Sequence, residues 1–198
     1  MNIGLFGGTF NPIHLGHIDT VNQVYNALSL DKVLLIPAYV PPHKELEGML
    51  SYDHRFNMTA LAIQPYSHLE VNDAERSLPK PSYTLQTIRY FNKLLPNDVF
   101  YYMMGADAFN KIESWYHWQD LLTSVNIVVI DRHEYCLKLS DEVQSVLKKS
   151  PFAFIHLPLD TLPVSSTMVR EAIHNKSNLS MFLTGDVISY IEKNNLYR

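Results

Sequence analysis

The stretch NIGLFGGTFNPIHLGH, from Asn2 to His17, decides how this chain folds. Asn2 to Phe6 is a short apolar run of strand type, and it breaks into Gly7-Gly8. Beyond the break, Ile18, Val21, Tyr25 and Leu28 recur at helical spacing. A strand thus delivers the chain to a glycine turn, and a helix carries it away. Gly7 and Gly8 let backbone approach a ligand with no Cβ in the way. Thr9 offers a hydroxyl, the amides around Thr9 and Phe10 can face phosphate oxygens, and Pro12 stiffens the descent into the helix. His14 and His17 stand three residues apart and share one face of the first helical turn. Unpaired N–H groups and the positive end of the helix dipole favour an anion there. The string contains neither GxxxxGK[ST] nor GxGxxG, which excludes both common phosphate-binding loops. Two histidines at this spacing could begin a metal site, but no cysteine or carboxylate stands at ligand spacing except Asp19, which should point elsewhere on the helix. The plainer alternative is a helix turn whose histidines only cap it or face solvent.

The same alternation continues outward. Lys32 to Ile36, Ser67 to Val71, Val99 to Met104, Asn126 to Ile130 and Phe152 to His156 read as strands. Tyr52 to Ile63, Thr84 to Leu95, Ser166 to His174 and Asp186 to Asn194 read as helices. Strands alternating with helices imply parallel pairing through right-handed crossovers. Apolar runs without internal alternation fit strands covered on both faces. The expectation is one domain over residues 1–198: a doubly wound α/β fold with a mostly parallel sheet and a small C-terminal helical region. Ligands in such folds sit beyond the strand C-termini, where the strand order reverses, so the loops after Phe6, Ile36 and Met104 should form the functional side. Two long proline-containing loops, Pro37–Leu50 and Asn72–Ser82, are either functional or plain surface connections.

Composition agrees with a globular chain. Of 198 residues, 46% are hydrophobic and 18% charged, and 16 Lys and Arg against 20 Asp and Glu leave a net charge of −4. That balance argues against a general nucleic-acid binder. The lone cysteine, Cys136, excludes an internal disulfide framework and a thiolate-rich zinc site, fits a reducing cytosol, and reads as inert. No run reaches the roughly 20 apolar residues of a membrane span, and the N-terminus does not read as a signal peptide.

Near the far end, LPVSSTMVR places Ser165, Ser166 and Thr167 where a helix N-cap is wanted, with Arg170 one turn on. By itself this is a capped helix with a solvated arginine. Three further stretches follow functional-side strands or precede a helix: PPHK at 41–44, PSYT at 81–84 and GADAFNKIESWYHW at 105–118. Each has a plain alternative: an exposed Lys44, a cap by Ser82 or Thr84, and core tryptophans, the last a fair reading for Trp118.

Taken together, GxFxPxHxGH and SSTMVR resemble the two signatures of the HxGH nucleotidyltransferase superfamily, with Val164 and Val169 in place of the second motif's isoleucines. PPHK, PSYT and the GADAF…W element resemble the bacterial nicotinate mononucleotide adenylyltransferases. The resemblance spans nearly the whole chain. It implies a Rossmann-like nucleotidyltransferase fold and a cytoplasmic enzyme of NAD biosynthesis. The implied reaction joins ATP and nicotinate mononucleotide to give nicotinate adenine dinucleotide and pyrophosphate, by direct attack without a covalent intermediate. It implies catalytic roles for His14, His17 and Arg170. ATP would meet Gly7, Gly8, Thr9, Phe10, His14, His17, Gly105, Asp107, Ser165, Ser166, Thr167 and Arg170. The mononucleotide would meet Thr9, Lys44, Tyr83, Thr84, Trp115 and Tyr116, with Lys44 on its phosphate and Trp115 stacked on its ring. Mg²⁺ would arrive with ATP, held by phosphate and water rather than by a protein cage. Nucleic acid and membrane are not expected partners, and a homodimer rests on the resemblance alone.

The remaining candidates are set aside. His54, His68, His117, His133, His156 and His174 read as surface or satisfied interior histidines, His43 as marginal. Arg55 and Met58 read as packing residues, and Lys148-Lys149 as a solvated face. Rival readings are a phosphopantetheine adenylyltransferase, a nucleotide sensor without turnover, and a non-enzymatic interaction module.

Overall fold

The computed structural model describes residues 1–42, 48–131 and 137–198. Six described strands, β1 (Asn2–Gly8), β2 (Lys32–Pro37), β3 (Leu69–Val71), β4 (Val99–Gly105), β5 (Asn126–Ile130) and β6 (Phe154–Leu157), form one sheet. Its order is β3-β2-β1-β4-β5-β6, and every pairing is parallel. The expected mixture is therefore wholly parallel among the described strands. The order reverses between β1 and β4, the position at which such sheets bind ligands beyond their C-terminal edge.

The strand sequences show why both faces are covered. Along β1, β2 and β5, alternate side chains enter opposite cores: Ile3, Leu5, Leu34, Ile36, Ile127 and Val129 lie on one side. Phe6, Val33, Leu35, Val128 and Ile130 lie on the other. Helix α1 (Leu15–Ala27), helix α2 (Tyr52–Ile63) and the two C-terminal helices close the second core. Helix α4 (Thr84–Leu94) helps close the first, bringing Leu85, Ile88 and Phe91.

Several boundaries differ from expectation. Strand β1 runs on through Gly7 and Gly8, which pair with Ile36 and Pro37, so the glycines end a strand instead of forming a free turn. The run at 67–71 forms a strand only from Leu69, and β6 is displaced to Phe154–Leu157. Four helices were not expected: α3 (Ala74–Ser77), α5 (Ala106–Phe109), α6 (Trp118–Leu122) and α7 (Asp141–Lys149). Helix α7 is capped by Ser140, whose hydroxyl accepts from the Val143 amide at 3.2 Å, and Lys148 and Lys149 form its basic last turn. Helices α8 (Ser166–His174) and α9 (Gly185–Lys193) complete the chain much as read. No described helix is long and apolar enough to cross a membrane.

Candidate active site

Two distant motifs meet at the C-terminal edge of the sheet. His14 is the N-cap of α1, and its backbone N–H donates to Nδ1 of His17 at 3.2 Å. The two imidazoles stack with centroids 3.6 Å apart and planes inclined at 25°. His14 is buried, His17 is half-buried, and Phe10 sits edge-on to His17 at 5.1 Å. From the other end of the chain, Ser165 caps α8 through the Met168 amide. Ser166 donates its hydroxyl proton to the Pro12 carbonyl at 2.9 Å. The Arg170 guanidinium donates to the Asn11 carbonyl at 2.8 Å and to Thr167 Oγ1 at 3.2 Å. Imidazole, hydroxyl and guanidinium groups separated by about 150 positions thus occupy one place, a donor-rich surface suited to a polyanion.

Gly16 makes this meeting possible. A Cβ there would stand 3.0 Å from the Leu162 carbonyl and 3.2 Å from that of Val164. Gly16→Ala should push this segment off α1 and cost about 1–3 kcal/mol, readable as a lower midpoint in urea unfolding. Asp19 does point elsewhere, accepting from the Leu162 amide at 2.9 Å and fastening the same segment.

Beside this surface lies a cavity of about 450 Å³ lined by Gly7, Gly8, Thr9, Tyr83, Thr84, Asp107, Trp115 and Tyr116 among others. Its volume suits a small organic ligand. The Tyr83 and Tyr116 rings stack at 4.3 Å and join the 81–84 loop to the 115–116 loop. Gly105 closes β4 and caps α5 without lining the cavity. Phe10, expected at the nucleotide, turns its side chain into the core at 2% exposure. A Cβ on Gly8 would lie 2.7 Å from that ring, so the first demand for glycine comes from packing. Trp118 belongs to the core. Lys44 and His43 lie outside the described residues, as do His133 and Cys136.

The loops around the cavity are held by residues assigned a lesser role or none from sequence. Arg55 is fully buried and donates to the carbonyls of Thr9 at 2.7 Å, Leu50 at 3.1 Å and Tyr39 at 3.4 Å. Packing does not describe it: the guanidinium satisfies carbonyls of the loops on either side. Burial lowers its pKa below the ordinary guanidinium value, opposed by Tyr197, Tyr52 and Glu75, yet a guanidinium remains a cation. Glu75, also buried, accepts from the Tyr39 amide at 3.2 Å and from Thr87 Oγ1 at 3.0 Å. Burial raises its pKa, while the Ser82 and Thr87 hydroxyls and the Tyr39 amide pull it down. The Ser82 hydroxyl accepts from the amides of Tyr39 and Val40, both at 3.1 Å. Asn11 Oδ1 accepts from the Leu50 amide and from the hydroxyl of Tyr197, whose pKa burial raises. A buried arginine and glutamate carry no periodic signal, and Asn11 sits inside the FNP stretch without one of its own.

Four of the histidines set aside are engaged elsewhere in the fold. His54 meets the Tyr190 hydroxyl, His68 meets Asn22 and stacks on Tyr25, His117 faces Asp120, and His156 pairs with Asp131 at 2.8 Å. His174 lies exposed in the last turn of α8. Among the described residues, no three His, Cys, Asp or Glu gather as a metal-binding group.

Known proteins resemble this chain in sequence and in fold. A cytidylyltransferase-like family model matches residues 5–172. A protein of Carboxydothermus hydrogenoformans named "probable nicotinate-nucleotide adenylyltransferase" is 36% identical, covering 99% of this chain and 98% of its own. One of Shewanella woodyi with the same name is 34% identical over the whole of both chains. In fold, the Plasmodium falciparum nicotinic acid mononucleotide adenylyltransferase complexed with NaAD matches 99% of this chain and 97% of its own, at a TM-score of 0.80 and 24% identity. Both motifs that meet around His17 fall within the matched span, and likeness at this level extends from one end of the chain to the other; the chain belongs to the nicotinate-nucleotide adenylyltransferase family of cytidylyltransferase-like proteins.

Proposed function

We propose that this protein transfers the adenylyl group of ATP to nicotinate mononucleotide. A phosphate oxygen of the mononucleotide attacks the α-phosphorus, the bond from that phosphorus to the bridging oxygen of the β-phosphate breaks, and pyrophosphate leaves with the bond's electron pair. The nucleophile is already anionic, so no strong base is required. Charge accumulates on α-phosphate and leaving-group oxygens, where fixed donors lower the barrier. His14, His17 and Arg170 are assigned to those oxygens, with Ser165, Ser166, Thr167 and the backbone of Gly7 to Phe10 holding the triphosphate. ATP enters as its magnesium complex, the ion being part of the substrate. Gly105 and Asp107 are assigned to the nucleoside.

The mononucleotide is assigned to the neighbouring cavity, with Trp115 against its ring and Thr84, Tyr83 and the Tyr116 amide toward its carboxylate. Lys44 is assigned to its phosphate. The observation that carries this reading is the bonding of Arg170 and Ser166 to the Asn11-Pro12 turn, directly before the stacked histidines. Holding both substrates in line supplies much of the remaining rate. The lone cysteine and the chemistry support a cytoplasmic setting.

The test offers purified protein Mg-ATP with nicotinate mononucleotide, nicotinamide mononucleotide or phosphopantetheine, and measures pyrophosphate. Release is expected chiefly with the first. Preference for phosphopantetheine overturns the acceptor, and silence with all three favours a sensor. Trp115→Ala should raise the KM for the mononucleotide about tenfold, by loss of stacking, with little change for ATP; the reverse pattern would move that ring to the other substrate.

A further inference from the structure

Tyr102 stands in β4 and lines the cavity assigned to the mononucleotide. Three observations define its surroundings. Its oxygen is 3.3 Å from Thr84 Oγ1. A Cβ on Gly7 would come within 3.1 Å of the same oxygen, so the strand end leaves space that this hydroxyl uses. The nearby carboxylate, Glu75, is occupied by the Tyr39 amide and the Thr87 hydroxyl. We infer that Tyr102 is a positioning residue for acceptor specificity: by donating to Thr84 Oγ1 it turns the Thr84 proton toward the ligand and makes this wall of the cavity a donor, suited to a carboxylate and unsuited to a carboxamide. The inference rests on the proposed function and deepens it.

The direction of the relay follows from chemistry. A phenol is a better proton donor than an alcohol, and each hydroxyl has one proton to give. Once Thr84 Oγ1 accepts from Tyr102, its own proton is available to the ligand. A carboxylate only accepts, so either oxygen takes that proton. A carboxamide can present its oxygen there, but its NH₂ gains nothing from a wall made of donors, and at Glu75 it would compete with the bonds that each carboxylate oxygen already takes from Thr87 and Tyr39. An amide group desolvated without a partner binds poorly. Burial pushes the Tyr102 pKa up to about 12, so the hydroxyl keeps its proton at neutral pH and stays a donor.

Tyr102→Phe keeps the ring and removes the relay. In steady-state kinetics with each pyridine mononucleotide, the variant should raise KM for the nicotinate form about five- to tenfold, the worth of one neutral hydrogen bond. The values of kcat and of KM for ATP should stay within about twofold, as for an interaction made equally in ground and transition states. The nicotinamide form should lose less, so the acid-to-amide ratio of kcat/KM falls. In a Thr84→Val background the same substitution should have no further effect, because the relay has lost its second member. An unchanged ratio, equal losses for both acceptors, or fully additive effects would each overturn the relay while leaving the adenylyltransferase reading intact. A wild-type protein that adenylylates neither acceptor overturns that reading and the relay with it.

Discussion

His17→Ala is expected to lower kcat by about a hundredfold or more while ATP affinity changes only a few-fold. The expectation follows from where the ring stands. It is held by the His14 stack on one face and by the edge of Phe10, and its Nδ1 is fixed by the His14 amide. A donor held so firmly contributes most where charge develops during bond breaking, and less in the ground state. Because alanine also removes the acceptor for the His14 amide, the substitution costs about 0.5–2 kcal/mol of capping. His17→Asn separates the two effects, since its amide oxygen can still accept from the cap. Both variants should be slow, and only the alanine should be measurably less stable. Single-turnover kinetics with separate ATP-binding measurements decides the matter, and equal losses in binding and rate would reduce His17 to a plain ligand contact.

The second large effect is on folding. Arg55→Met removes a guanidinium at 0% exposure and takes their donor from the carbonyls of the half-buried Thr9 and Leu50. Each orphaned acceptor costs about 1–3 kcal/mol, so the variant should lose about 2–6 kcal/mol. In a chain of this size that lowers Tm by roughly 2–4 °C per kcal/mol. Calorimetric or circular-dichroism melting checks it. Arg55→Lys should recover only part, because an ammonium lacks the fork that reaches Leu50, Thr9 and Tyr39 together. A melting point within about 2 °C of the parent would show that these carbonyls find water instead.

Legibility followed the kind of signal each element carries. Strand β5 was readable to the residue because NIVVI is apolar throughout and covered on both faces. Helices α2 and α8 were bounded correctly where Ser51 and Ser165 sit at their N-caps. Helix α7 escaped because it buries only Val143 and the rest reads as a charged surface. Among candidate site residues, the motifs around His17 and Arg170 were legible as strings, and their meeting was the expected geometry. Arg55 and Glu75 were not, because burial of a charged side chain depends on which carbonyls and amides the tertiary fold presents to it. Tyr102 was hidden inside the run VFYYMM, whose apolar character does not tell which ring ends in a cavity.

The Tyr39 peptide is gripped at both ends, its N–H by Ser82 and Glu75 and its carbonyl by Arg55. It lies in no strand, yet it cannot swing free unless the starts of α2 and α4 let go as well. Segments tied in this way open together as one cooperative unit. Isotope exchange would then register a stretch of connecting backbone as slow as the neighbouring β-ladder, and whatever mobility the enzyme needs for taking in its acceptor must be drawn from elsewhere in the chain.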